Sequence, residues 1–432
     1  METATQRRLQ LWGGVECTVN RVGDRFFNQL ERSGHWERES DLDRFADLGI
    51  RTLRFPVLWE LLAPGSPDEI DWAWTDARLE RARELGIRPI AGLLHHGSGP
   101  RYTNLLDPAF PEKFAQYARV VAAHYPWIDA FTPINEPLTT ARFSALYGHW
   151  YPHARDNLSF ARALLAQCRA TVLAMRAIRE VNPGAALVQT EDFGKTFSTR
   201  LLRYQAEFEN DRRWITWDLL SGMVSRSHPM WSYFRWAGIS EREIEIFSCE
   251  FCVPDMIGVN HYVTSERFLD ENIAAHPPES WGGNGKHRYA DIAAVRSDLS
   301  ELAGAKNLLQ EIWERYATPI AVTEAHLGCT PDEQIRWFVE IWEAATRARE
   351  EGADIRAVTS WALLGSFDWN SLVTREDNYY EAGVFDIFDG EPRPTMLAEM
   401  IRELAAGGDF GHSLLSEPGW WRRESRFVRQ CA

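Results

Sequence analysis

Eight short runs of β-branched and other apolar residues alternate along this chain with longer segments whose apolar residues recur at steps of three and four, and that alternation constrains the fold more than any other feature. The runs are Leu9 to Val15, Thr52 to Val57, Pro89 to Leu94, Ala130 to Ile134, Ala186 to Thr190, Met256 to Asn260, Ile320 to Thr323 and Val358 to Leu363. Helical period marks stretches between them, among them Asp41 to Leu48, Ala77 to Leu85, Pro111 to His124, Ser159 to Val181, Asp298 to Tyr316 and Asp332 to Glu350. Strands joined through helices lie parallel in one sheet. Eight of them, with no Gly/Ser/Pro linker separating halves, predict an α/β fold consisting of a single closed (β/α)8 TIM barrel. The competing doubly wound open sheet lacks its fingerprint, since no G-x-G-x-x-G follows a strand. The barrel is expected over residues 1–406, with long loop insertions at about 195–250 and 264–296. A tail over 407–432, carrying Trp420-Trp421-Arg422-Arg423, would pack on the barrel or offer an association surface.

With 45% hydrophobic residues in 432, the chain can fill a core of that size. Acidic residues outnumber basic ones by 62 to 47, the net charge is −15 and no Lys/Arg cluster stands out, so nucleic acid is not an expected partner. No run of about 18 apolar residues appears, which predicts no membrane span, and the polar start lacks the apolar core of a signal peptide. A cytoplasmic protein is the resulting expectation; no sequence signal points to an oligomeric state. Six cysteines are too sparse for a disulfide framework, and Cys249-Glu-Phe-Cys252 lacks the second half of a zinc site, so it reads as structural.

Closed barrels build their sites from the loops after the carboxyl ends of the strands. Two glutamates fall there: Glu136 closes the fourth run, in Thr132-Pro-Ile-Asn-Glu-Pro137, and Glu324 closes the seventh, in Ile320-Ala-Val-Thr-Glu324. Barrel closure brings these distant residues across the mouth from one another. A pair of carboxylates flanking a cleft is what glycosidic cleavage requires, one protonating the leaving oxygen while the other attacks or activates water. No metal or cofactor is called for, because carboxylates fill both roles. Taken alone, either glutamate reads as a solvated loop carboxylate. His95 and His96, adjacent on a strand, should point to opposite faces, so at most one faces the mouth.

The neighbours sharpen the picture. Asn135-Glu136-Pro137, preceded by Thr132, resembles the acid/base motif of glycoside hydrolase family 1, the β-glucosidase-type barrels, and the likeness recurs in order along almost the whole chain. Arg54-Phe-Pro-Val-Leu-Trp59 is similar to that family's R-F-S-x-x-W, and Leu94-His-His96 followed by Pro100 to its Y-H-W-D-L-P. Asp255-Met-Ile-Gly-Val-Asn-His-Tyr262 resembles D-F-I-G-x-N-Y-Y, and Trp361-Ala-Leu-Leu-Gly-Ser-Phe-Asp-Trp369 resembles W-S-L-L-D-N-F-E-W. The resemblance implies that Glu136 is the acid/base and Glu324 the nucleophile, with carboxyl groups about 5 to 5.5 Å apart. It further implies that Asn135 hydrogen-bonds the sugar 2-hydroxyl, that Arg54 holds Glu324 ionised, that Tyr262 aims it, and that Asn260 supports the pair. His96, Trp361 and Trp369 would line the glycone subsite.

Several positions depart from the family pattern. The family's glycone-binding Gln falls on Asn20 and its Glu on Asp368, each one methylene shorter, and the Trp after the third-strand His is Gly97. Asp368 reads alternatively as a structural loop carboxylate, and Glu16, four residues before Asn20, is an alternative first-strand contributor. Glu324 is followed by Ala325-His326 instead of Asn-Gly, and Gly365-Ser366 replace Asp-Asn. These changes predict a widened subsite that binds plain glucosides poorly and favours a bulkier or altered outer edge. The expected activity is that of a retaining β-glycosidase acting on a small carbohydrate substrate by double displacement. A transglycosidase using the same glutamates, and a non-catalytic carbohydrate-binding barrel, are the alternatives.

Overall fold

All eight runs become barrel strands in a computed structural model, which describes residues 8–299 and 302–427. The strands are β1 (Gln10–Gly14), β2 (Thr52–Pro56), β3 (Arg88–His95), β4 (Ala130–Asn135), β5 (Ala186–Asp192), β6 (Met256–Asn260), β7 (Ile320–Ala325) and β8 (Ile355–Ser360). Each pairs in parallel with its neighbours in chain order, and β1 closes the ring by pairing with β8 through Gln10↔Ala357 and with β2 through Gly13↔Leu53. The last strand differs from the sequence reading by starting and ending three residues earlier. Leu363 and Leu364 are apolar because they are buried in the loop that follows, where the Leu363 N–H donates to Gly14 at 2.9 Å.

Around the strands lie α1 (Asp41–Asp47), α2 (Ala73–Glu84), α3 (Phe110–His124), α4 (Asn157–Val181), α5 (Gly304–Tyr316), α6 (Pro331–Glu350) and α7 (Met396–Ala406). Helix α5 begins later than the expected Asp298, which stays in the loop. By length and composition α4 could cross a bilayer, yet 67% of its most apolar stretch is buried inside the protein. Asp156 starts it by accepting the Ser159 N–H at 2.8 Å.

Period-two alternation divides the barrel interior into layers. Trp12, Ile90, Ala130, Val188, Ala321 and Ala357 form an apolar plug, with Met256 packed against it. Two residues further along the strands, Thr132, Thr190, Thr323 and Thr359 are fully or almost fully buried and turn the lining polar. The barrel is thereby plugged with apolar side chains toward the amino ends of its strands and lined with polar groups toward the carboxyl ends.

The first insertion folds as four short helices, Arg203–Arg212, Ile215–Leu220, Pro229–Trp236 and Glu241–Cys249. Strands Arg267–Asp270, Trp281–Gly283 and Arg288–Ala293 of the second insertion join Thr196–Ser198 in a separate four-stranded sheet. Cys249 is exposed, and Cys252 is buried with its sulfur accepting from Arg179 at 3.2 Å.

The tail straps α6. Trp421 is buried, donates its indole N–H to Glu340 at 2.8 Å and meets the Trp337 ring edge-on at 5.2 Å. Arg422 pairs with Glu340 at 2.6 Å, and the Trp420 N–H donates to Glu333 at 2.9 Å. Trp421→Ala should therefore cost about 3–5 kcal/mol, the range for deleting a buried large aromatic. Urea unfolding followed by far-UV circular dichroism measures it, with a loss below about 1 kcal/mol contradicting this packing role.

Candidate active site

Glu136 leaves β4 with φ +47, a left-handed conformation that costs a side-chain-bearing residue roughly 1–2 kcal/mol. Pro137 then starts the short helix Pro137–Ala141, so the carboxyl is held at the point where strand becomes helix. His96 (φ +56) and Asp368 (φ +60) take the same conformation at two other strand-end loops, and such strained backbone gathers at functional sites.

One hydrogen-bonded network holds both glutamates. Arg54 Nη1 donates to Glu324 Oε1 at 2.6 Å and to the Thr323 carbonyl at 2.9 Å, while its Nη2 donates to Asn135 Oδ1 at 2.8 Å. Because arginine only donates, it fixes which end of the Asn135 amide faces it. The Tyr262 hydroxyl donates to the other Glu324 oxygen. Asn260 Nδ2 donates to Glu136 Oε1 at 2.5 Å and is oriented by Thr323, whose hydroxyl donates to Asn260 Oδ1 at 2.7 Å. Thr190 donates to Asn135 Oδ1 at 2.7 Å.

Burial pushes the Glu136 carboxyl well above the ordinary range, and the nearby Glu324 adds to the effect. Arg54 favours the ionised form of Glu324, but burial opposes it. Burial outweighs the opposing pull of Arg54 and Tyr262, leaving Glu324 raised to about 7. The Tyr262 phenol is pushed up by burial and by Glu324, so it stays a donor. His96 is lowered to about 3 by burial and Arg54, and is neutral. It hydrogen-bonds Thr140 at 3.0 Å and lies 3.7 Å from Glu136 Oε2.

His95 and His96 do not point to opposite faces. The strand ends at His95, and the left-handed turn at His96 brings both rings to Asn135 Nδ2, at 3.3 and 3.4 Å. His95 stacks on Trp361, with ring centres 5.4 Å apart. The Trp361 ring lies so close to β1 that a Cβ on Gly14 would sit 2.4 Å from it.

A cavity of about 490 Å³ opens over the network. Glu136, Glu324, Tyr262, His96, Trp361 and Trp369 line it, together with Glu16. Arg54, Asn135 and Asn260 stand behind the glutamates rather than on the wall. Asn20 and Asp368, expected to reach the sugar, are not on the cavity wall. Asn20 is fully buried with its amide N–H on the Val373 carbonyl at 2.9 Å. Asp368 is consumed by its own loop, accepting the Asp377 and Tyr379 N–H groups at 3.0 and 2.9 Å and pairing with Arg32 at 3.2 Å. The widening expected at Gly97 is also absent, because Glu60 fills it: a Cβ on Gly97 would lie 1.9 Å from Glu60 Oε1.

Asp192, the His326–Glu381 pair and Trp420 also line the cavity and were not among the residues read from the sequence. Asp192 carries the same signal as Glu136, an acid ending a strand, but the apolar run that marks its strand stops at Thr190, two residues before it. Trp420 reaches the mouth from the tail, under the Arg296 guanidinium at 4.0 Å from its ring centre.

Comparison with known proteins gives this arrangement its context. The sequence model of glycosyl hydrolase family 1 matches residues 32–376. Beta-glucosidase 47 of Arabidopsis thaliana is 22% identical over 96% of this chain and 82% of its own length. A bifunctional beta-D-glucosidase/beta-D-fucosidase of Bifidobacterium breve is 23% identical, with 81% of each chain covered. A 6-phospho-beta-glucosidase of Clostridium longisporum is 21% identical over 76% of this chain and 75% of its own. Among solved structures, the family 1 β-glucosidase from Thermotoga maritima superposes with a TM-score of 0.71 over 88% of both chains at 17% identity, and so shares the fold. Matched by the family model over most of its length, the chain belongs to glycosyl hydrolase family 1, as a divergent, β-glucosidase-like glycoside hydrolase.

Proposed function

We propose that the protein is a retaining β-glycosidase acting on a small, uncharged β-glycoside, with Glu136 as acid/base and Glu324 as nucleophile. The observation that carries this reading is the asymmetry between the two carboxyls. Glu324 has a guanidinium on one oxygen and a phenol on the other, both of which favour its charged form, whereas Glu136 receives only an amide N–H and is pushed up strongly. In the first step Glu136 gives its proton to the leaving oxygen as the glycosidic C–O bond breaks, and Glu324 bonds to the anomeric carbon. In the second, Glu136 takes a proton from water, which displaces Glu324 and restores both groups. A screen of aryl β-glycosides tests turnover, and added alcohol separates hydrolysis from transfer; no turnover of any aryl β-glycoside would sink the reading.

The pH profile follows from the same groups. The first step needs Glu324 ionised and Glu136 protonated, so kcat/KM should rise with pH through about 7 as Glu324 loses its proton, then fall as Glu136 loses its own at higher pH. An acid limb below about pH 5 in the free enzyme would mean that Arg54 outweighs burial after all.

Charge sets the glycone class. Glu16, Asp192 and Glu381 line the cavity in addition to the reacting pair, and Arg296 sits at the mouth, donating to the Arg426 carbonyl at 2.7 Å. A phosphorylated glycone would meet carboxylates, so an aryl 6-phospho-β-glucoside should fall on the order of 10²-fold below the aryl β-glucoside in kcat/KM. Equal rates for the two would contradict the assignment.

A further inference from the structure

Among the described residues five carboxylates line the cavity, and four are accounted for. Glu136 and Glu324 carry the proposed chemistry, Asp192 accepts the Ser265 hydroxyl, and Glu381 is paired with His326 at 3.0 Å. Glu16 is different. It lies just past β1, is 4% exposed, and accepts the Thr18 N–H on Oε1 at 2.9 Å. Among the described residues no ion pair joins it to a cation. Around the ring β1 lies two strands from β7, and Glu16 is near enough to Glu324 to add to the rise of that carboxyl. The indole N–H groups of Trp361 and Trp369 face its carboxyl and favour its charge, partly offsetting the burial that raises it. That of Trp369 closes no hydrogen bond of ordinary geometry and remains a buried donor on the cavity wall.

An acceptor-only carboxylate beside a donor-only indole matches a sugar, whose hydroxyls donate and accept at once. Asp368, one of the positions from which the family pattern would read the outer hydroxyls, is occupied by its own loop, and Asn20, the other, is fully buried off the cavity wall with its amide N–H on Val373. We propose that Glu16 reads the outer hydroxyls in their place, accepting hydrogen bonds from a neutral glycone with Trp369 Nε1 as the complementary donor. The inference deepens the glycosidase reading and rests on it for the orientation of the sugar.

The test is calorimetric and needs no turnover. Dissociation constants are measured for the glucose-configured iminosugar 1-deoxynojirimycin and its 3-, 4- and 6-deoxy counterparts, on the wild type, Glu16→Gln and Glu16→Asp. Glu16→Gln should weaken the parent compound by about tenfold to a hundredfold, the range for a hydrogen bond to a charged group. The loss should shrink to within about twofold for the counterpart lacking the hydroxyl that Glu16 accepts from, as pairwise coupling requires. Glu16→Asp, shorter but still acidic, should fall between. Equal loss across all four compounds, no loss at all, or no binding to the wild type overturns the proposal. Failure of the glycosidase reading shows separately, as the absence of a covalent Glu324 adduct when the wild type is treated with an activated 2-deoxy-2-fluoro-β-glucoside and weighed intact.

Discussion

Glu324→Ala is expected to lower kcat for an aryl β-glycoside by on the order of 10⁴-fold or more, the scale on which loss of a nucleophile is felt. Of the other carboxylates on the wall, Asp192 is held by Ser265 and Glu381 by His326, and Glu16 is assigned to the outer hydroxyls rather than to the anomeric carbon. The substitution also strands the Arg54 guanidinium, 6% exposed, without the carboxylate it pairs with at 2.6 Å. Removing one partner of a buried ion pair costs about 3–5 kcal/mol, so the folded fraction has to be measured alongside the rate. Azide separates the two effects. It fits the space of the lost carboxylate and adds to the anomeric carbon from the side Glu324 occupied, restoring part of the rate. The product should be a glycosyl azide of inverted configuration. An azide product of retained configuration would show that the two glutamates have been assigned in the wrong order.

Glu136→Ala should instead give an effect that depends on the leaving group. A glycoside of a poorly acidic alcohol needs the proton Glu136 supplies, and should lose about 10²- to 10⁴-fold in kcat/KM, the usual range for a positioned general acid. A dinitrophenyl glycoside leaves without protonation and should keep most of its kcat/KM. Its kcat should still fall, because the water of the second step has lost its base, and the glycosyl-enzyme should accumulate as a burst with a lowered KM. Uniform loss for good and poor leaving groups alike would remove Glu136 from the acid role and leave Asn260, which donates to it at 2.5 Å, supporting something other than catalysis.

The barrel was legible because strand and helix periods are local. Ala130–Asn135 and Ile320–Ala325 end at their glutamates in the structure as in the sequence reading to within a residue or so, since the apolar lining gives way to polar residues where the plug ends. Legibility failed where a single backbone angle or a distant neighbour decides. Alternation predicts opposite faces for His95 and His96, and a φ of +56 at one residue cancels it. The shortening at Asn20 and Asp368 reads as lost reach, whereas the two side chains bond partners remote in the chain, Val373 and Arg32, off the cavity wall. Gly97 reads as empty space that Glu60 in fact fills. The charge state of Glu324 was the least accessible quantity, because the sequence names its partner Arg54 but not the depth at which the two meet.

The placement of Trp420 has a consequence for the order in which the molecule is made. A chain emerging from its amino terminus completes β8 at Ser360, and with it the closed ring that carries Glu136 and Glu324, well before the tail exists. The reacting pair can therefore assemble on the ribosome while one side of the cavity mouth stands open to solvent or chaperone. That side is completed when Trp420 docks through Glu333 and beneath Arg296, so the reacting pair can be in place before the wall of the cavity mouth is whole.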